Sequence, residues 1–223
     1  MKALALDSST EILCLCGRNG SRFFEVTRDV DIHHARWIVP LVDLVLTNLD
    51  LSPGELELVA AARGPGSFTG LRIGLSTARG LAVGAGCPCV FIPTLDLYSA
   101  VPRGRGVVTA AVVDAKKKRF YAALYRNGER LTDYLDAGPD EIAALVSAYP
   151  EVVLTGPHGE ILHPLLAGLG AADNIVRDPD ARRGRGMTLL RMGMEALAAG
   201  RVDGPSTGPL YVRPPEARPG GGL

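Results

Sequence analysis

Short apolar blocks separated by turn residues dominate the first hundred positions of the chain. The blocks at 2–6 and 11–17 alternate as strands do, and Asp7-Ser8-Ser9-Thr10 between them has the composition of a turn. Two adjacent strands ahead of a helix–strand–helix run indicate an α/β protein with a mixed sheet and helical cover. The pattern predicts strands at 2–6, 11–17, 21–27, 56–61 and 88–92 and helices at 35–49 and 68–84.

The same order begins again after the Pro-, Gly- and Arg-rich stretch at 102–106. Asp7 and Asp114 take equivalent places, each leading the turn after a first strand, and Asn127-Gly128 predicts a hairpin turn. We therefore expect a duplicated architecture with a cleft between two lobes, 1–103 and 104–223. The last helix and the tail are free to pack back on the first lobe, and the Pro/Gly-rich tail from 204 is expected to fray. The second half is predicted to hold strands at 107–113, 120–126, 130–135 and 151–155 and helices at 139–148, 159–169 and 187–199.

Composition narrows the classes of protein. The 223 residues carry 24 basic and 24 acidic side chains, and a formal net charge of zero argues against a wholly basic nucleic-acid binder. No run approaches the ~18 apolar residues of a membrane span, and the first apolar run is too short for a signal peptide, so we expect a cytoplasmic protein without a membrane contact. Cys14/Cys16 and Cys87/Cys89 lie in apolar runs, which favours reduced, buried cysteines over a metal site.

The stretch at 64–74, GPGSFTGLRIG, raises three chemical possibilities that its spacing does not support. A Walker loop requires a Lys after its last Gly, and none follows Gly70. The third Gly of a dinucleotide fingerprint is displaced by one residue, and a nucleophile elbow requires Gly where Pro65 and Thr69 stand. Ser67 or Thr69 is better suited to capping the helix that follows.

The helix after this stretch carries small residues at every fourth position. Gly70, Gly74, Ala78 and Ala82 form one stripe, which permits close approach either of the chain's own core or of another protein. The helix at 35–49 is apolar around most of its circumference, so we expect it to be buried on two sides, one of them against a partner.

The remaining candidates are histidines and turns led by Asp. His33 and His34 have no partner four residues on, so a helical H-x3-H metal pair is absent. Asp7 and Asp114 stand where a strand-end Asp can organise phosphate, but hydroxyl or bulky residues replace the usual Gly. The basic run at 116–119 is either a solvated turn or a contact for a phosphate backbone.

Six motifs together resemble the TsaB (YeaZ) family of the TsaD/glycoprotease-like superfamily, in the right order along almost the whole chain. The resemblance implies an actin/hexokinase-like (ASKHA) fold of two lobes with mixed sheets, the second one reduced. The motifs are ALALDSST at 3–10, IHHARWIVP at 32–40, GPGSFTGLRIG at 64–74, VVDAKKKRFYAALY at 112–125, LTGPHG at 154–159 and GPLYVR at 208–213.

The resemblance implies that the chain is a non-catalytic subunit of the machinery that forms threonylcarbamoyladenosine. This modification is made at the adenosine beside the anticodon of tRNAs that read codons starting with A. The partners implied are the catalytic paralogue TsaD, the small ATPase TsaE, and a second copy of the chain in isolation, with tRNA reached indirectly. No catalytic residue, metal or cofactor is implied, except ATP or ADP at the assembled interface. The family's helix–helix interface maps onto Trp37, Leu41, Leu44, Val45, Gly70, Gly74 and Ala78, and a vestigial nucleotide site onto Asp7, Ser8, Ser9 and Asp114.

The chain departs from the family pattern at two places. Arg119 stands where the family has an acidic residue, and Ala35-Arg36 follows His34 where many members have Ser-Glu. Two other functions stay open from the residues: a metalloprotease-like or other hydrolase, which requires a metal or an activated Ser67, and a stand-alone ATP-binding switch.

Overall fold

The computed structural model of the chain describes residues 1–100 and 106–213, and it forms two mixed β-sheets with helices packed on them. The predicted boundary between 103 and 104 lies outside the described residues. The strands are β1 Lys2–Asp7, β2 Ile12–Asn19, β3 Arg22–Asp29, β4 Leu58–Ala62, β5 Cys89–Ile92, β6 Val108–Lys116, β7 Arg119–Arg126, β8 Glu129–Arg130, β9 Leu135–Ala137, β10 Val152–Thr155 and β11 Ile175–Arg177. The helices are α1 His34–Asn48, α2 Phe68–Ala85, α3 Thr94–Ser99, α4 Pro139–Val146, α5 Gly159–Gly168 and α6 Gly186–Ala198, with a 3-10 turn at Pro53–Glu55.

The two sheets share one topology. The first has the order β3-β2-β1-β4-β5 and the second the order β8-β7-β6-β10-β11. In each, the opening strand pairs antiparallel with the next strand of the chain and parallel with a later one, β4 or β10. The duplicated α/β architecture predicted from the sequence is therefore confirmed. The second sheet ends in short edge strands, β8 of two residues and β11 of three, and β9 pairs with β7 outside this order.

The first sheet is covered on both faces. Leu4, Leu6, Leu13 and Leu15 face α1 and α2, which pack side by side. The opposite face carries small residues such as Ala3, Ala5 and Ala60 and is covered by α6. A Cβ on Gly193 of α6 would lie 2.6 Å from the Cβ of Ala60, so the small residues on both sides allow close contact. The last helix therefore completes the core of the first lobe.

The second sheet packs α4 and α5 on one face and α3 on the other. Val112, Phe120 and Leu154 belong to the core under α4 and α5. Tyr98 of α3 packs against the opposite face, and Asp96 of the same helix accepts hydrogen bonds from tyrosines of the second lobe. The short helix α3 thus joins the two lobes.

Two parts of the predicted secondary structure are wrong. The strand expected at 130–135 is interrupted, because the Thr132 hydroxyl, and not a backbone carbonyl, accepts the hydrogen bond from the Leu124 amide. The sequence pattern also missed α3 and β11, which are six and three residues long. Elements of that length do not show a full hydrophobic period.

The segment after α6 is docked on both lobes, so the expectation that the tail frays from 204 is wrong as far as residue 213. It first follows the edge strand β5, then crosses the N-terminus of α2 and reaches the second lobe. Its contacts are Asp203 N to Cys89 O at 2.9 Å, Leu210 N to Arg63 O at 2.7 Å, Tyr211 stacked on Phe68, and Arg213 Nε to Asp136 Oδ2 at 2.7 Å.

Candidate functional site

A cleft of about 330 Å³ lies between the lobes, where the two turns led by Asp face each other. The β1–β2 turn and the N-terminus of α2 line it from the first lobe. The β6–β7 hairpin, with Asp114 and Lys116, and the buried His158 line it from the second. The duplicated topology places this cleft at the ends of the two opening strands, as ligand sites of α/β proteins commonly are.

Asp7 does not face the cleft, although the sequence pointed to it. Its side chain is buried, and its Oδ1 accepts hydrogen bonds from the Ser9 amide at 2.9 Å and the Ser9 hydroxyl at 2.6 Å. The Tyr98 hydroxyl donates to Oδ2 at 3.3 Å. Burial raises the pKa of Asp7 above its ordinary value, against the lowering effect of these hydrogen bonds. Asp7 is therefore a structural acid that shapes the turn.

Ser8 and Ser9 fasten the same turn to α2. The buried Ser8 hydroxyl donates to Gly70 O at 2.9 Å, and Ser9 O accepts from the Ser67 amide at 2.7 Å. Asp7 and Ser8, which the family resemblance assigns to a vestigial nucleotide site, are enclosed, and their side chains are bonded within the protein. Ser9 and Asp114 do line the cleft.

An Asp7→Asn variant is expected to be at least as stable as the wild type at neutral pH. A raised pKa means that the folded state holds the proton more tightly than the unfolded state, so this residue's contribution to stability falls as pH rises above 3.8. An asparagine does not ionise, so its contribution to stability does not fall as pH rises, and its side-chain oxygen still accepts the hydrogen bonds from Ser9. Asp7→Ala leaves the Ser9 amide and the Tyr98 hydroxyl without acceptors and should cost about 2 to 4 kcal/mol. Urea unfolding of both variants checks this, and equal losses would contradict it.

Of the two candidate caps, Ser67 and Thr69, Ser67 is the one that caps α2. Its Oγ accepts a hydrogen bond from the Gly70 amide at 3.2 Å. The histidines near the cleft have other contacts: His34 Nε2 lies 2.6 Å from Thr10 O, and His158 bonds Glu11. Across residues 1–100 and 106–213, no group of three His, Cys, Asp or Glu side chains is placed to hold a metal ion.

Glu11, His158 and Arg182 form a polar bridge between the lobes that the sequence did not reveal. His158 Nδ1 accepts from the Asp114 amide at 3.0 Å, so the ring proton resides on Nε2 and is donated to Glu11 Oε2, also at 3.0 Å. Arg182 contacts Glu11 at 3.2 Å and Asp29 at 3.1 Å. The motif LTGPHG contains His158, but nothing local relates it to a residue 147 positions earlier.

The charge state of Glu11 follows from this bridge. Burial raises the pKa of Glu11, but the hydrogen bond from His158 and the charge of Arg182 outweigh it and leave the pKa at about 2. Glu11 is therefore ionised at neutral pH and holds the two lobes together electrostatically.

The small-residue stripe of α2 faces the chain's own core, which corrects its assignment to a partner interface. A Cβ on Gly70 would collide with the Ser8 carbonyl, and one on Gly74 with the Ser8 hydroxyl. Ala78 is fully buried. On α1, Leu41 and Val45 are likewise buried in the first-lobe core. These five residues cannot touch another protein, because the turn and sheet of the first lobe already cover them.

The opposite sides of the same two helices are open. Val83 is 83% exposed and Val39 63%, and a Cβ on Gly80 or Gly84 would meet nothing within 4 Å. Trp37 is half-buried beneath the guanidinium of Arg28, 3.4 Å from its ring centre. We call this surface the α1/α2 outer face; it comprises Val39, Leu44, Gly80, Val83 and Gly84.

The tip of the β6–β7 hairpin is an unusual turn. Lys116, Lys117 and Lys118 all have positive φ, 63°, 54° and 59°. This left-handed conformation costs non-glycine residues roughly 1–2 kcal/mol each. All three are exposed at the cleft mouth or next to it, whereas Arg119 is held by Asp136 and Glu141. We call residues 116–118 the lysine turn.

Paired mixed sheets with a common strand order and a cleft between them define an α/β protein of the actin/hexokinase-like fold. Solved structures with this fold are similar to the chain. YeaZ from Pseudomonas aeruginosa matches with a TM-score of 0.72 and 22% identity, covering 95% of this chain and 99% of that one. An inorganic polyphosphate/ATP-glucomannokinase from Arthrobacter matches with a TM-score of 0.51 and 10% identity over 89% of this chain and 99% of that one.

A family model described as "TsaD: tRNA N6-adenosine threonylcarbamoyltransferase" matches residues 26–162, more than half of the chain, and the chain belongs to that family. The tRNA threonylcarbamoyladenosine biosynthesis protein TsaB of Escherichia coli (strain K12) is 34% identical over 135 residues, 58% of this chain and 57% of that protein. TsaB of Bacillus subtilis (strain 168) is 29% identical over 127 residues, 56% of each. The resemblance to the TsaB (YeaZ) family is confirmed.

An uncharacterised protein of Mycobacterium leprae is 31% identical over 180 residues, 76% of this chain and 49% of that protein. The chain thus spans about half the length of the curated relatives it matches, 49–57% in the first three. Within the described residues, no helix combines the length and apolar composition needed to cross a membrane.

Proposed function

We propose that the chain is a cytoplasmic, non-catalytic subunit of the machinery that forms threonylcarbamoyladenosine in tRNA. The names of the TsaB relatives support the pathway. The cleft supports the non-catalytic role, because its polar side chains are engaged in holding the protein together. Ser67 caps a helix, and His158 with Glu11 bridges the lobes. ATP or ADP enters this proposal only as a ligand of an assembled complex.

The observation that carries the proposal is the α1/α2 outer face. Apolar side chains on two adjacent helices are left in water here, and Gly80 and Gly84 let a partner helix approach the backbone of α2. We assign this face to the catalytic paralogue TsaD, and to a second copy of the chain when it is alone. TsaE then joins the pair, and tRNA is modified on TsaD.

The pathway role is tested by reconstitution. The purified chain is combined with TsaD, TsaE, threonine, bicarbonate, ATP, the adenylate-forming enzyme and unmodified tRNA. Threonylcarbamoyladenosine should form at a rate that depends on the chain. Equal formation without it would overturn the proposal.

The interface is tested by the double variant Gly80→Arg/Val83→Glu. A side chain at position 80 would meet open space, and Val83 is already exposed, so the monomer of the double variant should fold normally. Binding to TsaD should weaken at least about 100-fold, since two charges would be buried without partners at a helix contact. Calorimetry or sedimentation measures the affinity.

A matched control places the same charges on the exposed side of α5. Gly168 also has open space around its Cβ position, and Leu165 is 42% exposed. Gly168→Arg/Leu165→Glu should bind TsaD as the wild type does. Equal affinity of both double variants for TsaD would show that the α1/α2 outer face is not the surface that binds TsaD.

A further inference from the structure

We infer that Arg28, Arg36 and Trp37 form a binding site for a partner's carboxylate at one end of the α1/α2 outer face. The carboxylate belongs to an Asp or Glu side chain of the protein that occupies this face. The inference rests on the proposed function, which assigns the face to TsaD, and it adds the chemistry that TsaD presents there. We call these three residues the Arg–Trp–Arg cluster.

The cluster joins the end of β3 to the first turn of α1. The guanidinium of Arg28 lies 3.4 Å from the ring centre of Trp37, and the guanidinium of Arg36 lies 5.4 Å from the same centre. The Trp37 ring packs against the first-lobe core, so it is a fixed platform for both cations. Both arginines are exposed to solvent. Two positive charges are therefore held at a single aromatic ring on the surface.

Neither cation is neutralised by the part of the chain that the structure describes. Within it, neither guanidinium forms an ion pair or donates a hydrogen bond to another residue. Asp29, the neighbour of Arg28, pairs instead with Arg182 at 3.1 Å, and Asp31 forms no ion pair with either cation. A guanidinium that stacks with its flat face keeps the N–H donors at its edge available, and these donors match the two oxygens of a carboxylate.

The cluster is continuous with the apolar part of the outer face. Arg36 and Val39 are three residues apart on α1, which makes them neighbours on the surface of the helix, and both are exposed. A protein that covers Val39 therefore also covers Arg36. Covering a cation without a counter-ion costs free energy, so the occupant of the face has to supply a negative charge at this end.

The charge of the face favours a different protein over a second copy of the chain. Asp43 is the one acidic residue of α1, and α2 has none. The same two helices of a second copy would thus offer one carboxylate to the two cations of the cluster. Arginine forks also bind phosphate, but the apolar side chains beside this cluster are typical of a protein interface and not of a phosphate-backbone contact. TsaD with an acidic residue at this end of the contact is the complementary occupant.

The test is the double variant Arg28→Gln/Arg36→Gln, whose affinity for TsaD is measured by calorimetry at several salt concentrations. At low salt the affinity should fall about 10-fold, because charge-assisted hydrogen bonds to the carboxylate are lost. The slope of log affinity against log salt should become less steep than that of the wild type. Arg28→Lys/Arg36→Lys keeps both charges without the planar forks, so it should recover part of the affinity and the wild-type salt slope.

The control variant Arg126→Gln/Arg130→Gln makes the same change at two stacked arginines of the second lobe. Both are exposed, and their guanidiniums lie 5.5 Å from the ring centre of Tyr149 and 4.0 Å from that of Tyr134. This control should bind TsaD as the wild type does.

The inference is overturned if Arg28→Gln/Arg36→Gln binds TsaD like the wild type at every salt concentration, or if the control loses affinity equally. It is also overturned if the variant loses only self-association, measured by sedimentation, or only affinity for a tRNA transcript. The cluster would then bind a second copy or a phosphate. The variant Gly80→Arg/Val83→Glu separates this result from the proposed function: if it alone loses TsaD binding, the proposed interface stands without the cluster. If the wild type does not bind TsaD, both fail.

Discussion

Replacing Gly70 by alanine should destabilise the protein, whereas the same replacement at Gly80 in the same helix should stabilise it. A Cβ on Gly70 would collide with the Ser8 carbonyl, which belongs to a buried turn and cannot move aside. Overpacking of this kind costs about 2 to 3 kcal/mol or more. At Gly80 the space is open, and alanine should add about 0.5 to 1 kcal/mol through its helix propensity.

Urea unfolding of both variants and of Gly84→Ala measures this contrast. Gly84→Ala is the control, because its Cβ also meets nothing within 4 Å, and it should follow Gly80→Ala. Similar unfolding free energies for the Gly70 and Gly80 variants would mean that the stripe does not face the core and that its first assignment to an interface has to be restored.

Stability should fall as pH drops from about 5 to about 2, and a Glu11→Gln variant should lose much of that dependence. The folded-state pKa of Glu11 is about 2, below its ordinary value of 4.5, so the unfolded chain takes up the proton first. Its contribution is fully present above the unfolded pKa and disappears as pH falls through the folded one. The fall of the pKa from 4.5 to about 2 corresponds to about 3 kcal/mol of stability at neutral pH. The unfolding curves of wild type and variant should therefore converge in acid.

Glu195→Gln provides the control for this measurement. Glu195 is exposed and pairs with Arg191 one helical turn away, a surface contact worth little. The unfolding free energy of the Glu195→Gln variant should follow a curve parallel to that of the wild type throughout the pH range. If Glu11→Gln also runs parallel to the wild type, the bridge to His158 and Arg182 does not set the ionisation of Glu11.

Local patterns were sufficient for most of the fold. The alternation at 2–6, 11–17 and 21–27 predicted β1, β2 and β3 within two residues at each end. The repeated strand–Asp turn–strand order predicted the duplication, because each lobe builds its sheet from the same opening hairpin. The cap of α2 was predicted to be Ser67 or Thr69, and Ser67 is the cap, since capping depends on residues three positions apart.

The site could not be predicted in the same way, because its geometry depends on contacts between distant residues. A stripe of Gly70, Gly74 and Ala78 shows that something approaches the helix closely, but periodicity does not say what. The approaching group is the Ser8 turn, 62 residues earlier than Gly70. The bridge from Glu11 to His158 spans 147 residues and has no local signature at either end.

The covering of the first sheet by α6 has a consequence for the order in which the protein can acquire structure during synthesis. The strands that form this sheet lie within residues 2–92, but the helix that buries their second face is made only at 186–198. A nascent chain that has completed its first hundred residues leaves Ala3, Ala5, Leu58, Ala60 and Val90 uncovered on that face. The first lobe therefore cannot finish folding before the second lobe has left the ribosome, and the two lobes mature together.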